Sequence, residues 1–451
     1  MFARKRKAQL QTTQIIALVF AAIILLGTVL LALPVSSRSG VSCGVFPALF
    51  TATSATCVTG LVLFDTWSQF SGFGQAVILL LIEVGGLGFM SAAAVVVFAL
   101  RKKVGLKQRM VKAQAMSLND MRDVVRLQKV VIFGSLGVQL TGALVLMFRF
   151  LPEYGLRKAV IWGVFHAISG FCNAGFDIFG AIAPGQSLIP FNDDPIVLIT
   201  LMALITVGGL GFFVWEEIVR TRSLKKCSVY TKLVLIATTV IILLGTGLIL
   251  LLEWNNPATL GNMPIWQKIL NAFFQTVTLR TAGFVSVDQG QLTESTKAVS
   301  IVVMLIGGSS GSTAGGLKTV TFVVLLLFIW AKARGRATVH AFSRTIPQNK
   351  AIDAMTIFFI MVALLFFGGC FICVTNPTVS FIDGLYETVS ALATVGVTAG
   401  VTPLLGLAAK IMLIAFMYFG RVGVLTISLG FLMGNKAEDR FRYADTNLLI
   451  G

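Results

Sequence analysis

Val58-Thr59-Gly60-Leu61, Asn173-Ala174-Gly175-Phe176, Thr281-Ala282-Gly283-Phe284 and Thr394-Val395-Gly396-Val397 are four copies of one short segment, each built around a single glycine. They recur about every 110 residues, and a fixed period outranks other patterns in reading a fold. About 24 to 33 residues after each copy a second glycine element lies inside an apolar run. These read Val84-Gly85-Gly86-Leu87-Gly88, Val207-Gly208-Gly209-Leu210-Gly211, Ile306-Gly307-Gly308 and Phe419-Gly420-Arg421-Val422-Gly423. Four like units can surround one axis, and an axis lined by backbone oxygens can carry a cation through a membrane.

The composition points the same way. The chain is 56% hydrophobic and 12% charged, with a mean hydropathy of +0.89. Soluble domains carry about twice that charge fraction, so this is an integral membrane protein. Runs long enough to cross a ~30 Å hydrocarbon core lie near 14–33, 76–100, 130–150, 195–219, 233–252, 297–330, 355–374 and 405–432. Between the members of each pair sits a shorter apolar stretch, near 44–57, 160–172, 266–279 and 381–394. These are too short to cross and read as re-entrant half-helices.

The expected fold is an all-α polytopic membrane protein. It has four parallel span–pore-loop–span repeats around a pseudo-fourfold axis, with eight transmembrane helices and four half-helices. The repeats fall at 1–100, 101–219 (opening on a basic linker), 220–330 and 331–451. Two crossings per repeat return the chain to its starting side. That excludes the inverted repeats of many secondary transporters.

A net charge of +17 suggests nucleic acid until the positions are read. Basic residues collect in alternate loops: Arg4 to Lys7, Arg101 to Lys129, Arg220 to Lys232 and Lys332 to Lys350. The loops between carry few, such as Arg38, Arg157 and Lys158. This is the positive-inside pattern, which predicts a multi-pass protein of the cell (plasma) membrane with both termini cytoplasmic. Membrane lipid is the implied contact, with no nucleic acid partner. Met1 to Lys7 leads into a full span without a cleavage site, so no signal peptide is expected. The tail after Asn435 is short and polar, and no soluble domain is expected there.

Little in the chain suggests an enzyme. His166 and His340 are its two histidines, and neither has Cys, Asp or Glu nearby at ligand or triad spacing. Cys370 and Cys373 form a CxxC inside a span without the further ligands that zinc needs. No organic cofactor is expected.

Moving a bare cation into hydrocarbon costs tens of kcal/mol, so a conducting protein must replace the hydration shell. A half-helix with its C-terminal end directed inward offers partial negative charge. The extended segment after it can turn carbonyl oxygens to the axis. That backbone needs glycine, because a Cβ obstructs it. Val58, Thr59, Gly60, Asn173, Ala174, Gly175, Thr281, Ala282, Gly283, Thr394, Val395 and Gly396 are the predicted filter.

These segments, with Ala55-Thr56-Cys57 before the first and Arg280 before the third, resemble the Trk/Ktr/HKT superfamily of potassium transporters over essentially the whole chain. The likeness is closest to the Ktr membrane subunit, since eight spans lack the extra N-terminal pair of Trk. It implies a K⁺ pore with a degenerate filter and fewer ion sites than in a symmetric channel. It further implies a homodimer on a cytosolic ring of nucleotide-binding (RCK-type) regulatory subunits, with Na⁺ as an optional activator. Members with serine at the first filter glycine tend toward Na⁺, and Gly60 here favours K⁺. A Na⁺-permeable or weakly selective relative is the alternative.

The third repeat departs from its siblings at Gly307-Gly308-Ser309-Ser310-Gly311-Ser312-Thr313-Ala314-Gly315-Gly316-Leu317-Lys318. Irregular backbone at that depth must be covered by protein or line a cavity. It reads either as a gating loop under the filter or as a helix break for close packing. Lys318 either opposes cations there or snorkels to the cytoplasmic surface. Arg421, an intramembrane charge, is either an electrostatic barrier below the filter, as the resemblance implies, or the partner of a carboxylate such as Glu83. Arg280 is expected behind the filter, with Glu387 a candidate partner. Asp65, Asp177 and Asp288 follow three filter turns, as cation-concentrating acids or as loop acids.

Overall fold

The computed structural model describes residues 12–99, 121–336 and 338–423. It is helical apart from a small antiparallel hairpin, Val339–Ala341 with Arg344–Ile346, in the link between the third and fourth repeats. The unit of span, half-helix, glycine turn and second span recurs four times, as the sequence leads one to expect.

The four first spans are continuous. Among the described residues the helices long and apolar enough to cross alone are Gln14–Ala32, Val131–Cys172, Val229–Glu253 and Gln348–Thr375. Leu25, Leu26 and Val29 are exposed on the first of these while Leu31 is fully buried, so one face meets lipid and the other the protein. The half-helices are Val45–Thr56, the end of Met121–Cys172, Ile265–Leu279 and Phe381–Leu392. Those of 12 to 15 residues rise only about 18–22 Å, which keeps them re-entrant. In the second repeat span and half-helix are two helices that abut at a kink, where Gly155 is non-helical (φ 74°).

The second spans are where symmetry fails. Gly72–Ala99 is one helix. Pro195–Leu210 and Phe212–Thr221 meet at a 92° bend at Gly211, so the expected continuous span at 195–219 is broken. Gly211 has φ 89°, which an L side chain rarely adopts. The third divides into Glu294–Leu305 and Thr319–Ala333 around the glycine-serine loop. The fourth, Leu407–Tyr418, passes into one π-helical turn, Phe419–Gly423, that carries Arg421. Its expected continuation to 432, and most of the basic linker 101–129, lie outside the described residues.

The repeats close into a ring. Phe50, Cys57 and Leu61 of the first pack in one buried cluster with Leu392, Val395 and Leu413 of the fourth. Tyr418 Oη donates to the Ala17 carbonyl at 2.7 Å across the same seam.

Candidate functional site: the glycine ring and the loop beneath it

Each half-helix ends in the same backbone sequence. Val58, Asn173, Thr281 and Thr394 are left-handed, with φ of 57°, 60°, 67° and 53°, and the glycine two residues on is left-handed again. Three of those four are β-branched, for which positive φ is a true outlier. Such strain persists only where the surroundings impose it, and it clusters at functional sites.

The four glycines meet around one axis, in chain order. A Cβ placed on Gly60 would lie 2.5 Å from the Ala174 oxygen, and one on Gly175 2.6 Å from that of Ala282. One on Gly283 would lie 2.6 Å from the Val395 oxygen, and one on Gly396 would strike the Thr59 oxygen. The carbonyls of Thr59, Ala174, Ala282 and Val395 therefore form a closed ring against the four glycine Cα atoms. A methyl group at any glycine collides with the next repeat.

A hydroxyl near the end of each half-helix fixes the turn. The Gly60 and Gly396 amides donate to Ser54 and Ser390 Oγ, both at 3.1 Å. Ser169, Thr278 and Ser390 donate to the carbonyls of Phe176 (2.7 Å), Phe284 (2.7 Å) and Val397 (2.6 Å). Sequence reasoning missed these four residues, although their recurrence five or six places before each glycine was there to find. The buried hydroxyl oxygens of Thr59, Thr281 and Thr394 have no partner among the described residues. Free oxygens beside a ring of carbonyls are suited to a dehydrated alkali cation.

The glycine-serine loop lies directly under this ring. Its neck is zipped: Gly307 and Thr319 amides donate to the Leu317 and Gly308 carbonyls at 2.9 and 3.1 Å. Thr313 Oγ1 reaches the Phe171 carbonyl (3.2 Å) and Asn173 Oδ1 (3.1 Å) below the second filter turn. A Cβ on Gly315 would strike the Thr394 hydroxyl below the fourth. The Ser309 amide donates to the Gly209 carbonyl at 3.0 Å. The loop thus crosses from its own repeat to the second and fourth. Ser310 is its exposed tip, Ser312 Oγ folds back on the Ser309 carbonyl at 2.7 Å, and Ala314 and Gly316 are buried.

Arg421 is 5% exposed and donates to the Thr313, Gly85 and Gly86 carbonyls, the last at 3.3 Å. It is not paired with Glu83, whose carboxylate instead accepts from Gln139 (3.0 Å) and the Cys172 thiol (3.3 Å). The guanidinium lies beneath the glycine ring with backbone carbonyls as its acceptors. The Lys318 Nζ donates to the Ala314 carbonyl of its own loop at 2.7 Å. Arg280 is buried beside the third glycine turn, and Glu387 is not its partner. It donates to Thr319 Oγ1 (3.2 Å) and the Gly307 carbonyl (3.5 Å), tying the third filter turn to the loop's neck. Glu387, fully buried, accepts from Thr398 Oγ1 (2.6 Å), the Ala399 amide (2.8 Å) and Thr402 Oγ1. It clamps the segment that leaves the fourth glycine turn.

The three acids are loop ligands. Asp65 accepts from the Ser68 (2.7 Å) and Gly185 (3.2 Å) amides, Asp177 from that of Phe179 (3.3 Å), and Asp288 from that of Gly290 (2.9 Å). Burial, and then the Asp65 charge, push the Asp177 carboxyl up to about 7. His166 is structural: Nε2 accepts from the Ile178 amide (3.3 Å), Nδ1 faces the Trp162 carbonyl (2.7 Å), and the ring stacks on Phe179.

Residues 3–440 match the TrkH family, described as a cation transport protein. The chain belongs to the TrkH family. It is 38% identical over 455 residues to the potassium/sodium uptake protein NtpJ of Enterococcus hirae, covering 100% of this chain and 99% of that protein. It is also 38% identical to the Ktr system potassium uptake protein B of Bacillus subtilis, covering 97% and 96%. The TrkH potassium transporter structure from Vibrio parahaemolyticus superposes with a TM-score of 0.71 at 17% identity, over 94% of this chain and 86% of that one. That likeness supports the fold alone. The resemblance read from the glycine segments is thereby established across the whole TrkH-family chain.

Proposed function

We propose that this protein takes up K⁺ across the cell membrane through a channel-like pore whose filter is the four-glycine ring. The observation that carries it is the cyclic approach of Gly60, Gly175, Gly283 and Gly396 to the carbonyls of Ala174, Ala282, Val395 and Thr59. The ion is cargo, held by those oxygens and the unpartnered threonine hydroxyls in place of water. The loop Gly307–Lys318, held up by Arg421, is the gate. The basic loops face the cytoplasm, as do both termini.

The relatives are named as parts of potassium uptake systems, which supports a separate cytosolic nucleotide-binding subunit as regulator. Homodimerisation rests on the family resemblance, as do the repeat boundaries at 100, 219 and 330 on the sequence period. The relative NtpJ is named for both potassium and sodium. Na⁺ permeation is therefore the second reading, with Na⁺ as activator a narrower form of it. Growth of an uptake-deficient bacterium on limiting K⁺, and uptake of radioactive rubidium against sodium, tests the proposal. Rescue with rubidium favoured supports it; sodium uptake without rubidium uptake overturns it.

A further inference from the structure

The 92° bend at Gly211 turns a short helix, Phe212–Thr221, sharply away from Pro195–Leu210. Pro195–Leu210 has 16 residues and rises about 24 Å, short of the ~30 Å hydrocarbon core. The 92° bend then turns Phe212–Thr221 across the direction of that span, toward the side on which the basic loops collect. Phe212 and Val214 are buried against the protein, whereas Val219 is 71% and Leu224 60% exposed. Arg220, Arg222, Lys225 and Lys226 are all exposed on the helix end and the turn beyond it.

Of the nearby acids Glu217 is engaged away from the cluster, while Glu216 offsets Arg220 through a long contact. Glu217 accepts from the Ser228 amide (2.8 Å), Ser228 Oγ (2.7 Å) and Thr231 Oγ1, and Glu216 lies 3.8 Å from Arg220. A short helix with apolar residues and a cluster of cations has the chemistry that anionic lipid surfaces attract.

The same helix touches the gating loop at its tip. The Phe212 amide donates to the Gly311 carbonyl at 3.0 Å, and the Phe213 ring covers Gly311. Tyr230 Oη, just past the basic turn, donates to the Ser310 carbonyl at 2.9 Å.

We propose that Arg220, Arg222, Lys225 and Lys226 bind the phosphate of an anionic phospholipid headgroup, and that this lipid steadies the loop in its crossed position. The coupling rests on the reading of the loop as the gate; the binding site does not. Lipid seated on the turn holds Phe212–Thr221 in the interface, and that helix holds Ser310 and Gly311. Anionic lipid is then a brake on the pore.

The full chain, wild type and R220Q/R222Q/K225Q/K226Q, is reconstituted in phosphatidylcholine vesicles with or without about one-third phosphatidylglycerol. Rubidium flux is measured, and retained lipid is weighed by native mass spectrometry. Wild type is expected to retain phosphatidylglycerol and to run about fivefold slower in its presence. The variant is expected to retain none and to run alike in both vesicles. A variant that still retains the lipid overturns the site. Loss of retention without a flux difference overturns the coupling. A variant that keeps its lipid response but no longer answers a soluble nucleotide-binding subunit assigns the turn to a protein and overturns the proposal. R421A in phosphatidylcholine alone reports on the gate separately: unchanged flux there sinks the gate reading and leaves the retention result standing.

Discussion

Arg421 donates to the backbone carbonyl of Thr313, so a cation from the fourth repeat holds the middle of a loop from the third. The same guanidinium reaches Gly85 and Gly86 of the first repeat, and Thr313 itself reaches the second through Asn173. Four repeats are joined below the glycine ring by two side chains. On the proposed reading, replacing Arg421 by alanine removes both a charge on the ion path and the loop's support. Rubidium flux in proteoliposomes should rise about tenfold. R421K should be intermediate, because an ammonium keeps the charge but cannot span three carbonyls.

At the ring, Gly60→Ala places a methyl 2.5 Å from the Ala174 oxygen, in a backbone conformation with φ 96°. Flux should fall at least about tenfold while the protein still inserts and purifies, since the clash is local to the axis. Gly60→Ser adds a hydroxyl at the same point. It should lower rubidium over sodium selectivity more than it lowers total flux, as measured by paired uptake.

Glu387 offers a test of filter support away from the axis. Glu387→Ala leaves the Ala399 amide and two threonine hydroxyls without their acceptor, a loss of about 1–3 kcal/mol for a buried donor. Selectivity should drop before stability does. Glu387→Gln keeps one acceptor oxygen and should recover most of the selectivity.

Asp177 predicts a pH dependence of stability. Its folded pKa is raised from 3.8 to about 7, by burial and then by Asp65. Between those values the folded protein keeps a proton that the unfolded chain has released, so stability falls as pH rises through this window. Asp177→Asn removes that slope. The wild-type melting temperature should drop by a few degrees more than the variant's between pH 5 and pH 8.

The ring was legible in the sequence because glycine alone tolerates its geometry, and the same requirement recurs four times. The loop was legible because Gly307 to Gly316 cannot continue a helix through hydrocarbon. The 92° break at Gly211 was not, since Gly208-Gly209-Leu210-Gly211 looks the same whether glycines pack helices or end one. Partners escaped reading for a different reason. Arg280 and Glu387 each found local acceptors and donors, Thr319 and the Gly307 carbonyl for one and Thr398 to Thr402 for the other. Charge complementarity pairs residues on paper without regard to which backbone groups lie nearer.

Anomalous diffraction from crystals grown in rubidium tests the central claim most directly. The account predicts a peak on the axis, about 3 Å from the carbonyl oxygens of Thr59, Ala174, Ala282 and Val395. A map with no rubidium at that ring, or with rubidium bound only off the axis, would contradict it.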